Sequence, residues 1–170
     1  MLHRKLKDNR GFTLVELLVV IAIIGILAAI ITPNAFKAIE KGKVAAAEAD
    51  YKAIKAAALN FYTDTGQWAP SSTSTVPDAY LVTKPTSGYN GWNGPYLERW
   101  PSKNPWGGTY TYYKDGDWDF NNVNDTGYRF LQLDNVPSGA IDQIERDLGN
   151  DIVKKPSSYS GKVNLLISKD

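Results

Sequence analysis

The chain has no cysteine among its 170 residues and a single histidine, His3. The first absence excludes a disulfide framework, a zinc–thiolate centre, an iron–sulfur cluster and a cysteine nucleophile. The second leaves no histidine beyond the first eleven residues, so the commonest general base and transition-metal ligand is missing from the body of the protein. An excess of one charge is lacking too. Nineteen Lys and Arg against eighteen Asp and Glu give +1, which offers no electrostatic footprint for nucleic acid. Enzymatic chemistry and a nucleic-acid partner are both disfavoured on composition, while 43% apolar and 22% charged residues describe a chain that folds.

What is present is strongly asymmetric. Arg4, Lys5, Lys7 and Arg10 with one opposing Asp8 make a basic opening, a cytoplasmic-side signal under the positive-inside rule. Leu17 to Ile31 then contains no polar side chain, and the stretch Phe12 to Thr32 is long enough as a helix, about 31 Å, to cross a hydrocarbon core. A secretory signal peptide would end in a small-residue cleavage site after the apolar run, but here the run passes through Pro33 into an alanine-rich helix. A plain signal anchor leaves Glu16 unexplained, because an unpaired carboxylate in an apolar span costs about 2.5–3.5 kcal/mol. Snorkelling toward the interface, only about 6 Å away, is the competing account of that residue.

The segment Arg10-Gly11-Phe12-Thr13-Leu14-Val15-Glu16 resembles the processing and methylation motif of type IV pilins and type II secretion pseudopilins. The resemblance implies a leader, residues 1–11, removed between Gly11 and Phe12 by a prepilin peptidase that also methylates the Phe12 amine. It implies a transmembrane and filament-core helix over 12–35 and a pilin-like head over 36–170. Glu16 would meet the Phe12 amine of a neighbouring subunit, each charge relieving the other in a dry filament core. Gly25 and Pro33 fall where the family carries helix-weakening residues. Implied partners are further copies of the chain in a helical homopolymer, the peptidase and methyltransferase, a membrane assembly platform, minor pseudopilins, and membrane lipid before assembly. The implied location is a single pass through the inner membrane with the head outside the cytoplasm.

Beyond Pro33 the composition predicts that the helix continues to about Phe61. Val44, Ala47, Tyr51, Ile54, Ala58 and Phe61 draw one apolar stripe suited to the head's own core, and Glu48 and Lys52 stand at i and i+4 on another face. Residues 69–95 read as a long loop, and Thr109 to Tyr112 as a strand. Gly94-Pro95-Tyr96-Leu97 and Asn104-Pro105-Trp106-Gly107 resemble the approach to the first strand in G-type major pseudopilins, with Asn104 in place of the family's usual Asp. A second strand is predicted over 128–133, a short helix after Pro137 ending at Gly149, and a last strand over 162–167. The fold class is therefore α+β, a pilin-like lollipop. Sixteen of the twenty aromatic residues lie between Phe61 and Phe130 and read mainly as core and loop packing.

Asp115, Asp117, Asp119 and Asn121 have the alternate spacing of a calcium loop, without the glycine and bidentate glutamate of an EF-hand. Calcium is the one candidate cofactor, and a solvated acidic turn is the other reading of those residues. The function expected is that of a structural subunit polymerising into a type II secretion pseudopilus. The alternatives are a type IV or competence pilus subunit, or a membrane-anchored module binding glycan or DNA through its aromatic residues.

Overall fold

Between Gly42 and Gly66 the chain has neither glycine nor proline and is dominated by alanine, lysine and other good helix formers, so helix is its lowest-energy local state. The computed structural model describes residues 11–158 and 160–170, and there this segment is the second half of α1, Leu14–Thr65. Residues 1–10 of the expected leader lie outside the described residues. The helix stops where Gly66 takes φ of 67° and its N–H donates to the Tyr62 carbonyl at 2.8 Å. After it come β1 (Tyr110–Lys114), β2 (Tyr128–Leu133), α2 (Ser138–Leu148), β3 (Val153–Lys154) and β4 (Val163–Lys169). The chain divides into two compact units, the first ending at Ile39 and the second being Glu40–Asp170.

In the second unit the four strands form one antiparallel sheet in the order β1-β2-β4-β3. Tyr110 pairs with Leu133 and Tyr112 with Leu131, while Leu131 and Val153 each pair with Leu165. Alternation along the strands therefore sends Tyr110, Tyr112, Leu131, Leu133, Val163 and Leu165 to one face. That face shares a core with the α1 stripe of Val44, Ala47, Tyr51, Ile54, Ala58 and Phe61, joined by Ala57 and by Ala140, Ile141 and Ile144 of α2. Phe61 is fully buried between Tyr89 and Tyr96, with ring centroids at 5.2 and 5.6 Å, so the aromatic-rich loop folds back over the helix. Truncating such a residue to alanine costs about 3–5 kcal/mol.

Polar contacts lock the layers. Tyr51 donates its hydroxyl to the Leu166 carbonyl and Tyr110 donates to Asp50 Oδ2 at 2.7 Å. The open edge of β1 is occupied by Ser71 and Ser72. The Lys114 and Tyr112 N–H groups donate to their hydroxyls at 2.8 and 3.1 Å, which removes a template for strand addition.

The turn at Asn104 shows why an amide suits this chain. Buried Asn104 accepts from the N–H groups of Trp106 and Gly108 at 3.0 and 3.1 Å, and its Nδ2 donates to the Asp134 carbonyl at 2.7 Å. A carboxylate has no donor for that carbonyl. Trp106 in turn donates Nε1 to Glu40 Oε1 at 2.7 Å, tying the turn to α1.

Two features depart from the sequence expectations. Strand β3, two residues long, has too little sequence to show a period. Glu48 does stand 3.9 Å from Lys52, but it is not on a solvated face: its side chain is 14% exposed. Burial, followed by the charge of Asp147 on α2, pushes its carboxyl above the ordinary range.

Candidate functional site

The N-terminal end of α1 is built by a reciprocal cap. Glu16 Oε2 accepts from the backbone N–H and the hydroxyl of Thr13, both at 2.8 Å, and Thr13 Oγ1 accepts from the Glu16 N–H at 3.2 Å. This is a capping box, in which residues three apart satisfy each other's stray donors. From Phe12, 91% exposed, through Ile39 the large apolar side chains are all exposed among the described residues. With a mean hydropathy of 3.1 over its most apolar window, α1 is long and apolar enough to cross a membrane.

Gly25 and Pro33 both lie inside α1. A Cβ at Gly25 would meet nothing within 4 Å, so nothing among the described residues demands glycine there. Pro33 lacks the N–H that would bond the Ala29 carbonyl. Gly11 is likewise in open space.

In the acidic loop after β1, the carboxylates of Asp117, Asp119 and Asp125 bring one oxygen each within 4.8 Å of one another. Calcium holds its oxygens at about 2.4 Å, so ligands across one ion stand about 4.8 Å apart, and these three fit a shared cation. The other two residues singled out by spacing are engaged differently. Asp115 Oδ1 accepts from the Gly127 N–H at 2.7 Å, and Asn121 Oδ1 accepts from the Val123 N–H at 2.8 Å. Asp117 and Asp119 also order the loop by accepting from the Asn121 N–H, at 3.0 and 3.3 Å. Asp125 closes it by accepting from the Trp118 N–H at 3.0 Å.

Sequence reasoning passed over two members of these arrangements. Thr13 was detectable, since Thr-x-x-Glu ahead of an apolar run is the capping-box signature. Asp125 belongs to the same acidic run and keeps its every-second-residue step, but Val123 interrupts the oxygen-bearing positions before it, so the candidate set stops at Asn121.

Residues 6–32 match the family described as prokaryotic N-terminal methylation motif, and residues 38–127 match the family described as PilW, C-terminal. An apolar helix that begins at a methylation motif, together with a helix-backed antiparallel sheet, defines the class of pilin-like subunits. Type II secretion system core protein G of Pseudomonas aeruginosa is 41% identical over 113 residues, covering 65% of this chain and 77% of that protein. The type IV major pilin protein PilA of Myxococcus xanthus is 44% identical over 61 residues, 36% of this chain and 28% of that protein. The solved structure of the major type IV pilin PilA1 from Clostridium difficile aligns with a TM-score of 0.49 at 21% identity, covering 77% of this chain and 98% of that one. The chain belongs to the core protein G family of type II secretion systems, the major pseudopilins. Members of this family are structural subunits and not enzymes, they are anchored through the apolar helix, and the methylation motif implies processing by a prepilin peptidase.

Proposed function

We propose that the protein polymerises through its N-terminal helix into a type II secretion pseudopilus and so supports protein export. The observation that carries this reading is the exposed apolar surface from Phe12 to Ile39, on a chain that matches core protein G over 77% of that protein's length. So much exposed hydrocarbon is stable only in lipid or against other copies of the same helix. A pilus subunit is the weaker alternative, because the likeness to the Myxococcus pilin spans 36% of the chain.

In this reading the peptidase cuts between Gly11 and Phe12 and the Phe12 amine is methylated. The subunit waits as a single-pass protein with Arg4, Lys5, Lys7 and Arg10 on the cytoplasmic side and the head outside. On assembly Glu16 pairs with the Phe12 amine of a neighbour. Gly25 and Pro33 let the intervening turns loosen as helices pack into a helical homopolymer. The assembly platform and minor pseudopilins complete the set of partners. Calcium held by Asp117, Asp119 and Asp125 stabilises the outer loop of the head. Overproducing the full-length protein with its assembly platform tests the reading: shearable filaments made of this subunit are expected, and their absence despite normal membrane levels contradicts it.

A further inference from the structure

Charge in the second unit is sorted to opposite ends. One end is marked by contacts among segments far apart in sequence. Trp106 donates Nε1 to Glu40 Oε1 at 2.7 Å, Asn135 Nδ2 donates to the Trp106 carbonyl at 2.8 Å, and the Val136 N–H donates to the Gly161 carbonyl at 2.9 Å. Beside these contacts stand Lys41 and Lys43 on α1, Lys103 just ahead of the Asn104 turn, and Lys162 just ahead of β4. Lys41, Lys103 and Lys162 are exposed and Lys43 is half-buried. Among the described residues none of the four makes a hydrogen bond or an ion pair. The carboxylates nearby are engaged inside the chain: Glu40 by Trp106, Asp134 by the N–H and hydroxyl of Thr109, Asp50 by Tyr110, and Asp142 by Lys155. Glu98 and Arg99, adjacent and both exposed, offset each other. At the other end, where α1 stops and Arg129 lies over the Trp68 ring, is the acidic loop with Asp115, Asp117, Asp119 and Asp125.

We propose that the basic end docks on anionic phospholipid headgroups while the subunit waits in the membrane, a step that rests on the anchored state described above. The span Phe12 to Thr32 matches the hydrocarbon core, and Glu40 follows Thr32 by eight residues, about 12 Å of helix. Headgroups fill about 5–7 Å beyond the hydrocarbon on each side, so this end begins within one Debye length, about 8 Å, of the charged surface. The tether holds it there at high effective concentration, where individually weak contacts accumulate. Lysine suits such a surface, because a point charge on a flexible stem meets a phosphate without a shaped pocket. Trp106, half-buried among the lysines, is of the ring type enriched at bilayer interfaces. The acidic loop of a second copy is the competing polyanion, but its carboxylates already accept from backbone N–H groups: Asp117 and Asp119 from Asn121, Asp125 from Trp118, and Asp115 from Gly127. Headgroup phosphates carry no such commitment.

Because the chain has no cysteine, a single introduced one is a unique label site. Two full-length variants each carry a fluorophore. Ser102→Cys places it beside Lys103, and Ser87→Cys places it next to Gly88, whose carbonyl accepts from Gln67 beyond the far end of α1. Each is held at one copy per nanodisc, in phosphatidylcholine alone or with an equal part of phosphatidylglycerol, with a trace of lipid bearing a headgroup quencher. At physiological salt, quenching of the Ser102→Cys label should rise at least twofold with phosphatidylglycerol, and the Ser87→Cys label should not respond. The rise should vanish in about 0.5 M NaCl, where the Debye length is about 4 Å, and when Lys41→Gln, Lys43→Gln, Lys103→Gln and Lys162→Gln are combined. Equal quenching in both lipids, or a rise that survives high salt or the four substitutions, overturns the proposal. So does a rise seen in phosphatidylcholine only when discs hold two copies, which assigns the basic end to a neighbouring subunit. A chain that fails to co-elute with discs contradicts the anchored state and the docking together, whereas an anchored chain indifferent to lipid charge contradicts the docking alone.

Discussion

Replacing Glu16 by Gln and by Ala separates two roles that one side chain combines. As a cap, Glu16 accepts two hydrogen bonds from Thr13 at 2.8 Å. Gln retains a carbonyl acceptor for them, whereas Ala removes the cap at a cost of about 1 kcal/mol. As a charge, Glu16 burdens membrane insertion, and its removal gains up to about 2.5–3.5 kcal/mol, more than the cap is worth. Both variants should therefore insert. In the filament the balance reverses. Leaving the partner amine buried and unpaired costs about 3–5 kcal/mol. At about 1.4 kcal/mol per tenfold, each affected contact weakens by roughly two to three and a half orders of magnitude. The assay is co-expression with the assembly platform, followed by shearing and immunoblotting of filament and membrane fractions. Both variants should be abundant in the membrane and nearly absent from filaments. Wild-type filament yield from Glu16→Gln would mean that the carboxylate serves only as a cap, and the pairing argument would fail.

Mass spectrometry of assembled protein should find a chain beginning at N-methylated Phe12; subunits retaining Met1 would contradict processing at Gly11. Calcium should raise the melting temperature of full-length protein relative to chelator, and Asp117→Ala with Asp119→Ala should abolish the difference, whereas identical melts would leave the loop a plain acidic turn. Asn104→Asp should lower stability by about 2–4 kcal/mol, because a buried carboxylate would face the Asp134 carbonyl now served by Nδ2, and an unchanged melt would refute that account of the amide.

Elements with a strong local period were legible before any coordinates. The α1 stripe from Val44 to Phe61 is buried throughout, β2 and α2 fall where alternation and the Pro137 to Gly149 bracketing place them, and the methylation motif pointed to the family. What escaped depends on long-range contact. Glu48 reads as half of an exposed i,i+4 pair until α2 brings Asp147 against it. The acidic cluster reaches Asp125 past Val123, on a loop whose path is set by Asn164, a residue on another strand. The basic end of the head is gathered from α1 and two loops distant in sequence, so no run of like charge announces it.

The central claim is that the N-terminal helix is the polymerising element and not merely an anchor. Exchanging residues 12–35 for an unrelated transmembrane helix of equal length, in a host carrying the complete secretion system, tests it most directly. The account predicts normal insertion and a folded head, with neither filaments nor export of the secreted protein. Export at the wild-type level from the exchanged chain would contradict it.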